Sequence, residues 1–195
     1  MITFAPAETR EDLLGILDLQ RANLATNLSP EEIAAQGFVT VVHTLHDLSE
    51  LNNAERHIVA KDADSIIGYL LAMTQSAKSA IPVLIPMFEA FDVVQFKNKA
   101  IKEYTYIVVG QVCVDKQFRG QGIIDKCYAA FKAHFAKKYD FAITEIASIN
   151  LRSRNAHKRI GFKEIQAYTA GDIEWIIVIW DWHNTDQQAL HAELQ

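Results

Sequence analysis

The stretch Val112-Cys113-Val114-Asp115-Lys116-Gln117-Phe118-Arg119-Gly120-Gln121-Gly122-Ile123 decides how the rest of the chain is read. It closes a long β-branched run, residues 104–114, and opens a predicted helix over 121–138. That helix carries Ile124, Cys127, Tyr128, Phe131 and Phe135 on one apolar stripe. A strand therefore feeds a glycine-containing loop that starts a helix. The first N–H groups of a helix lack intrahelical partners, and the helix dipole places positive charge there. Gly120 and Gly122 remove side chains that would keep a ligand from those donors, and Arg119 adds a full charge. Together they make a pyrophosphate cradle. The competing reading is a tight turn in which glycine serves geometry alone.

Other phosphate-binding patterns fit less well. A P-loop needs GxxxxGK followed by Ser or Thr, and no such string exists. A dinucleotide fingerprint needs a small residue where this chain has Asp125. Downstream, no Asp or Glu occurs between Ile146 and Lys163, whereas Arg152, Arg154, Lys158 and Arg159 all do. A cationic stretch in a chain of net charge −5 points to an anionic ligand, or else to a solvated helix face.

Working outward, residues 2–5 read as a strand and 8–24 as a helix with acids in its first turn. Ser29-Pro30-Glu31-Glu32 reads as a second helix start, with Ser as cap and Glu three residues on. A short helix is predicted over 43–51, then strands over 57–61 and 65–74 around Asp62-Ala63-Asp64. From 75 to 102, Pro82 and Pro86 interrupt an apolar stretch and would spoil a central strand. That segment is read as an irregular or partly helical insertion, a packing or oligomer surface before a substrate lid. Residues 141–148 read as a strand, 153–160 as a helix stopped by Gly161, and 162–169 with 173–182 as an antiparallel hairpin.

Composition bounds the function. The chain has 195 residues, which suits one domain of ~100–200 residues. With 50% hydrophobic and 22% charged residues it can bury a sizeable core. Its 19 Lys and Arg against 24 Asp and Glu supply no overall basic field for nucleic acid. Two cysteines make no disulfide framework and no CxxC pair. No apolar run reaches the ~18 residues of a membrane span, and the start, MITFAPAETRED, has no basic-then-apolar signal region. A cytoplasmic protein without membrane or nucleic-acid partners is expected. His43, His46 and Asp47 are placed to share a helix face, but without further spaced ligands no metal site is read. Cys113 and Cys127 are read as small buried hydrophobes, and Trp175, Trp180 and Trp182 as packing residues.

Gln117-Phe118-Arg119-Gly120-Gln121-Gly122 resembles the pyrophosphate motif of the GNAT superfamily of acetyl-CoA-dependent N-acetyltransferases, matching every fixed position. Residues 150–162, Asn150 through His157 to Gly161-Phe162, resemble that family's downstream Asn…Tyr…GlyPhe segment. The order of elements agrees over residues 1–182, leaving 183–195 as a polar tail. The resemblance implies one α/β (α+β) domain with a central, mostly antiparallel mixed sheet of six or seven strands flanked by helices. Its fourth and fifth strands, about 106–114 and 141–148, would splay apart and form the only parallel pair.

The resemblance further implies acetyl-CoA as donor and the amine of a small molecule or peptide as acceptor, attacked directly. Val112, Cys113 and Val114 would pair with the pantetheine arm as a strand does. Gln117, Arg119, Gly120, Gln121, Gly122, Ile123 and Ile124 would hold the pyrophosphate, and Asn150 the arm from the other side. Fourth-strand N–H groups near Val114 would serve the oxyanion. Where many members place Tyr as proton donor, this chain has His157, expected to contact cofactor or protonate sulfur, or else to pack. Glu145, in phase with Phe141, Ile143 and Ala147, is the candidate general base, with a salt-bridged or solvent-facing carboxylate as the alternative. A non-catalytic acyl-CoA-binding or regulatory module, and an ATP- or NAD-binding domain, stay open as other readings. The hydrophobic insertion allows a homodimer.

Overall fold

The sheet is built from strands that alternate side chains between two apolar layers. A computed structural model describes residues 1–29, 31, 38–39 and 41–183. The helix start expected at Ser29-Pro30-Glu31-Glu32 and the polar tail from Asn184 fall largely outside those residues. Strand β1 (Ile2–Pro6) leads into helix α1 (Arg10–Ala22), which starts at Thr9 and not at Glu8. There the Thr9 hydroxyl accepts from the Asp12 N–H, and the Asp12 carboxylate accepts from the N–H groups of Thr9 and Glu8. This reciprocal cap satisfies donors the first turn would leave bare.

Helix α2 (Leu45–Ala54) is capped the same way by Thr44 and Asp47, so His43 lies ahead of it. Strands β2 (Ile58–Asp62) and β3 (Ser65–Met73) form the expected hairpin. The insertion is ordered: one helical turn, Ala77–Ala80, then helix α3 (Ile85–Val93), with Pro82 and Pro86 in first-turn positions where proline costs no hydrogen bond. Strand β4 (Tyr106–Val114), helix α4 (Ile123–Phe135), strand β5 (Phe141–Ala147) and helix α5 (Leu151–Ile160) follow. Strands β6 (Lys163–Ala170) and β7 (Ile173–Asp181) close the sheet.

The seven strands run in the order β1-β2-β3-β4-β5-β7-β6, and only β4 and β5 are parallel. Leu13, Ile16, Leu48, Leu71, Phe88, Phe91 and Tyr106 fill one layer, beneath α1, α2 and α3. Leu70, Ile107, Tyr128, Phe131, Phe135 and Trp180 fill the other, beneath α4. The two layers thus alternate along β3 and along the first half of β4.

Two local features open the sheet. The β3–β4 register slips between Leu71↔Gln111 and Ala72↔Val109, leaving Gly110 as an extra residue. A Cβ on Gly110 would lie 2.2 Å from the Met73 Cε, so any larger residue at the bulge would have to displace the Met73 side chain. The slip reverses the pleat, and Val112 and Val114 join Ile107 and Val109 on the α4 side. Meanwhile β4 and β5 pair only from Tyr106↔Phe141 to Val108↔Ile143. At the fork, the Thr144 hydroxyl donates to the Val109 carbonyl at 2.7 Å. Beyond it the facing edges of the two strands part.

Candidate active site

The gap between β4 and β5 opens into two cavities. The first, about 610 Å³, is lined by Val112, Val114, Gly120, Gly122, Asn150 and Arg159, among others. Gly120 and Gly122 have φ of +76° and +74°, and a Cβ on either would meet no atom within 4 Å. The turn therefore requires glycine for its backbone, and the space beside it is open as a cradle needs. Ile123 and Ile124, in the first turn of α4, also line this cleft, as does Cys113.

The cations divide between cleft and scaffold. Arg119 lines the cleft, but its Nε donates to the Val114 carbonyl at 3.0 Å and its Nη2 to the Asn23 Oδ1 at 2.6 Å. It thereby ties the glycine loop to the end of α1 while holding charge at the rim. Arg159 forms a two-pronged pair with Asp125, 3.1 and 3.0 Å, and Arg152 lines the same cleft. Arg154 is spent on Glu164 and the Ser148 carbonyl. Asn150 stands between the cavities, and its Oδ1 accepts from the Ser153 N–H, capping α5. The Gln121 amide donates to the Gln117 carbonyl at 3.0 Å, bracing the loop.

The second cavity, about 550 Å³, meets the first at Phe38, Val39, Val112, Asn150 and Ser153. Val112 thus lies at the junction, whereas Val114, the residue expected near the oxyanion, lines only the first cleft. Glu145 lines the second cavity and makes no ion pair among the described residues; it accepts from the Tyr168 hydroxyl. Burial pushes its carboxyl up to about 7, against the opposing effect of that hydrogen bond. A group poised there exchanges protons readily near neutral pH.

His157 also borders this cavity, yet it is 2% exposed. Its Nδ1 lies 2.8 Å from the Ser153 carbonyl, which can only accept, so Nδ1 carries the proton. Its Nε2 then accepts from the Tyr128 hydroxyl at 2.6 Å. Burial drives the imidazole down to about 4, with the Ser153 bond opposing. This is a neutral ring with both nitrogens engaged.

Other candidates settle into the scaffold. The backbone N–H of His43 donates to Gln20 Oε1 at 2.9 Å, and Gln20 Nε2 donates to its Nδ1 at 3.1 Å, so His43, His46 and Asp47 share no helix face. Among the described residues no group of three or more His, Cys, Asp or Glu is placed to hold a metal ion. Burial pushes the thiols of Cys113 and Cys127 up to about 12, far from thiolate chemistry at neutral pH. Trp180 and Trp182 are buried, whereas Trp175 lines the second cavity.

The sequence profile described as Acetyltransferase (GNAT) family matches residues 26–162, more than half of the chain. The chain belongs to the GNAT acetyltransferase family. Among curated proteins no sequence match was found. Solved structures share the fold. The NatC complex bound to Gag peptide and CoA includes a chain with TM-score 0.61 at 16% identity, covering 92% of this chain and 98% of that one. The ribosomal-protein-S18-alanine N-acetyltransferase from Escherichia coli gives 0.59 at 12%, covering 93% and 94%. YncA of Salmonella typhimurium, a putative acetyltransferase with its cofactor acetyl-CoA, gives 0.57 at 12%, covering 92% and 93%.

This GNAT enzyme is an acyltransferase. The open space at Gly120 and Gly122, the start of α4 and the rim guanidinium fit a diphosphate. The splayed strand edges fit an amide-bearing arm. No described helix is long and apolar enough to cross a membrane. Sequence reasoning missed Thr144 at the fork, Asn23 behind Arg119 and Tyr168 on Glu145. None lies in a motif; each acts through a partner at least 23 positions away.

Proposed function

We propose that this enzyme, as one catalytic domain over residues 1–182, transfers the acetyl group of acetyl-CoA to an amine by direct attack. Main-chain groups of Val112, Cys113 and Val114 pair with the pantetheine arm, and Asn150 faces it across the gap. The loop from Gln117 through Arg119, Gly120, Gln121 and Gly122 to Ile123 and Ile124 holds the diphosphate. The thioester then lies near Val112, where the two cavities meet, and β4 N–H groups facing the gap stabilise the charge that grows on the acetyl oxygen.

Glu145 takes the proton of the attacking amine, directly or through one water. The nitrogen–carbonyl bond forms as the carbon–sulfur bond breaks, and the thiolate leaves to be protonated by water. The observation that carries this reading is the Glu145 carboxylate, partly buried in the cavity joined to the cradle and raised to about 7. His157 serves as a positioning residue: its ring bonds hold α5 to Tyr128 on α4, and neither nitrogen is free to donate to sulfur. Thiol release from acetyl-CoA across a panel of amines tests the proposal. Amine-dependent release supports it; tight CoA binding with no amine-dependent release would leave a non-catalytic acyl-CoA-binding module.

A further inference from the structure

We infer that the acceptor is an amine with an apolar body and no carboxylate, of the phenylalkylamine kind. This deepens the proposed function and rests on it. One wall of the second cavity is formed by Val41, Val83, Leu84, Pro86, Met87 and Trp175, drawn from three separate segments, while Gln111, Thr144, Asn150 and Ser153 line it elsewhere. The insertion supplies four of these, so its helices serve the cavity as well as the core. Among the described lining residues Glu145 is the only carboxylate, and no Lys or Arg is present. The other titratable neighbours are His157, held neutral by its two ring bonds, and Tyr168, whose hydroxyl is committed to Glu145.

No Lys or Arg occurs between Arg21 and Arg56, so the undescribed positions 32–37 and Thr40 bring none to this wall. Nor does any occur from Asn184 to the end. Lys78, the insertion's basic residue nearest this wall in sequence, pairs with Asp92 at 3.2 Å. Arg152 and Arg159 open onto the other cleft, and Arg154 is bound to Glu164.

An acceptor carboxylate would thus lose its water beside Glu145 with no counter-charge, which is strongly unfavourable. A second ammonium on the acceptor would find no further carboxylate among the described lining residues, only neutral groups such as Gln111, Thr144 and Asn150 beside the apolar wall. A phenyl or alkyl body, by contrast, gains by leaving water for that surface. The reacting ammonium is drawn to Glu145 and gives its first proton to solvent, so that Glu145 takes the second as the neutral amine attacks.

The test compares 2-phenylethylamine, L-phenylalaninamide, L-phenylalanine, spermidine and a hexapeptide with N-terminal Phe, by thiol release with product mass confirmed. The expected result is kcat/KM for the first two at least tenfold above that for L-phenylalanine and spermidine. Equal or better use of L-phenylalanine or spermidine overturns the inference while leaving acetyl transfer to amines standing. A hexapeptide used at least tenfold better than either small amine assigns the cavity to a polypeptide and also overturns it. No transfer to any amine, with acetyl-CoA binding seen by calorimetry, defeats the proposed function and this inference together. As a second readout, Val83 is 66% exposed at the mouth, so Val83→Arg leaves the core intact. It is expected to raise the L-phenylalanine to 2-phenylethylamine ratio of kcat/KM at least threefold; an unchanged ratio refutes the charge argument.

Discussion

Glu145→Gln should cost activity and add stability, and pH separates the two effects. In the folded protein the carboxyl is raised from 4.5 to about 7, chiefly by burial. Below the unfolded value both states hold the proton and the group costs nothing. Above the folded value the native state must ionise a carboxyl that it disfavours, so stability is lost as pH rises between the two. At ~1.4 kcal/mol per unit, the full shift corresponds to about 3 kcal/mol, and water entering the cavity reduces it to about 1–2 kcal/mol. Gln keeps an oxygen to accept from Tyr168 and carries no charge. The variant should therefore melt ~2–8 °C above the parent at pH 8, at ~2–4 °C per kcal/mol, with the gap closing as pH falls toward 4.5. Its kcat/KM should fall by ~10²-fold or more, the usual contribution of a positioned base, and the parent's rise in rate through pH 7 should disappear. Scanning calorimetry at several pH values and steady-state thiol release measure both. A melting difference that ignores pH, or a pH–rate profile identical to the parent's, would refute the reasoning.

Two further outcomes follow from the geometry. Gly120→Ala forces a side chain into a left-handed backbone at ~1–2 kcal/mol and fills the cradle, so CoA affinity by calorimetry should drop at least tenfold. Gly171→Ala is the control: it has φ of +59° and equally open surroundings, and CoA affinity there should not change. His157→Phe strands the buried Tyr128 hydroxyl, costing ~1–3 kcal/mol, while kcat should stay within ~3-fold of the parent. Adding Tyr128→Phe should destabilise less than the two single changes summed, because the polar pair leaves together. A tenfold loss of kcat in a well-folded His157→Phe enzyme would restore His157 to the chemistry.

Much of the fold was legible because its signals are local. Periodicity placed the strands, Pro82 and Pro86 kept the insertion out of the sheet, and Gly161 ended α5. Errors fell at boundaries, where a cap decides: Thr9 and Thr44 start their helices, and the Asp12 and Asp47 carboxylates reach back to them. The expectation for Glu145 stopped at its pleat phase, since whether a carboxylate in that phase meets a cation, water or Tyr168 depends on a strand 23 positions later. His157 was harder still. Its neutrality comes from Tyr128 on another helix and from depth in the core, neither of which its neighbours in sequence encode.

The amino-acid order alone determined the glycine turn proposed as the cradle, because Gly120, Gly122 and the first turn of α4 are contiguous in the chain. Folding across distant segments sets the character of the second cavity, proposed as the acceptor side: which carboxylate is partly buried, which imidazole has both nitrogens bonded, and which wall is apolar. Those properties arise from desolvation and pairing between segments far apart in the chain, and they exist only once the sheet has splayed between Val108 and Thr144.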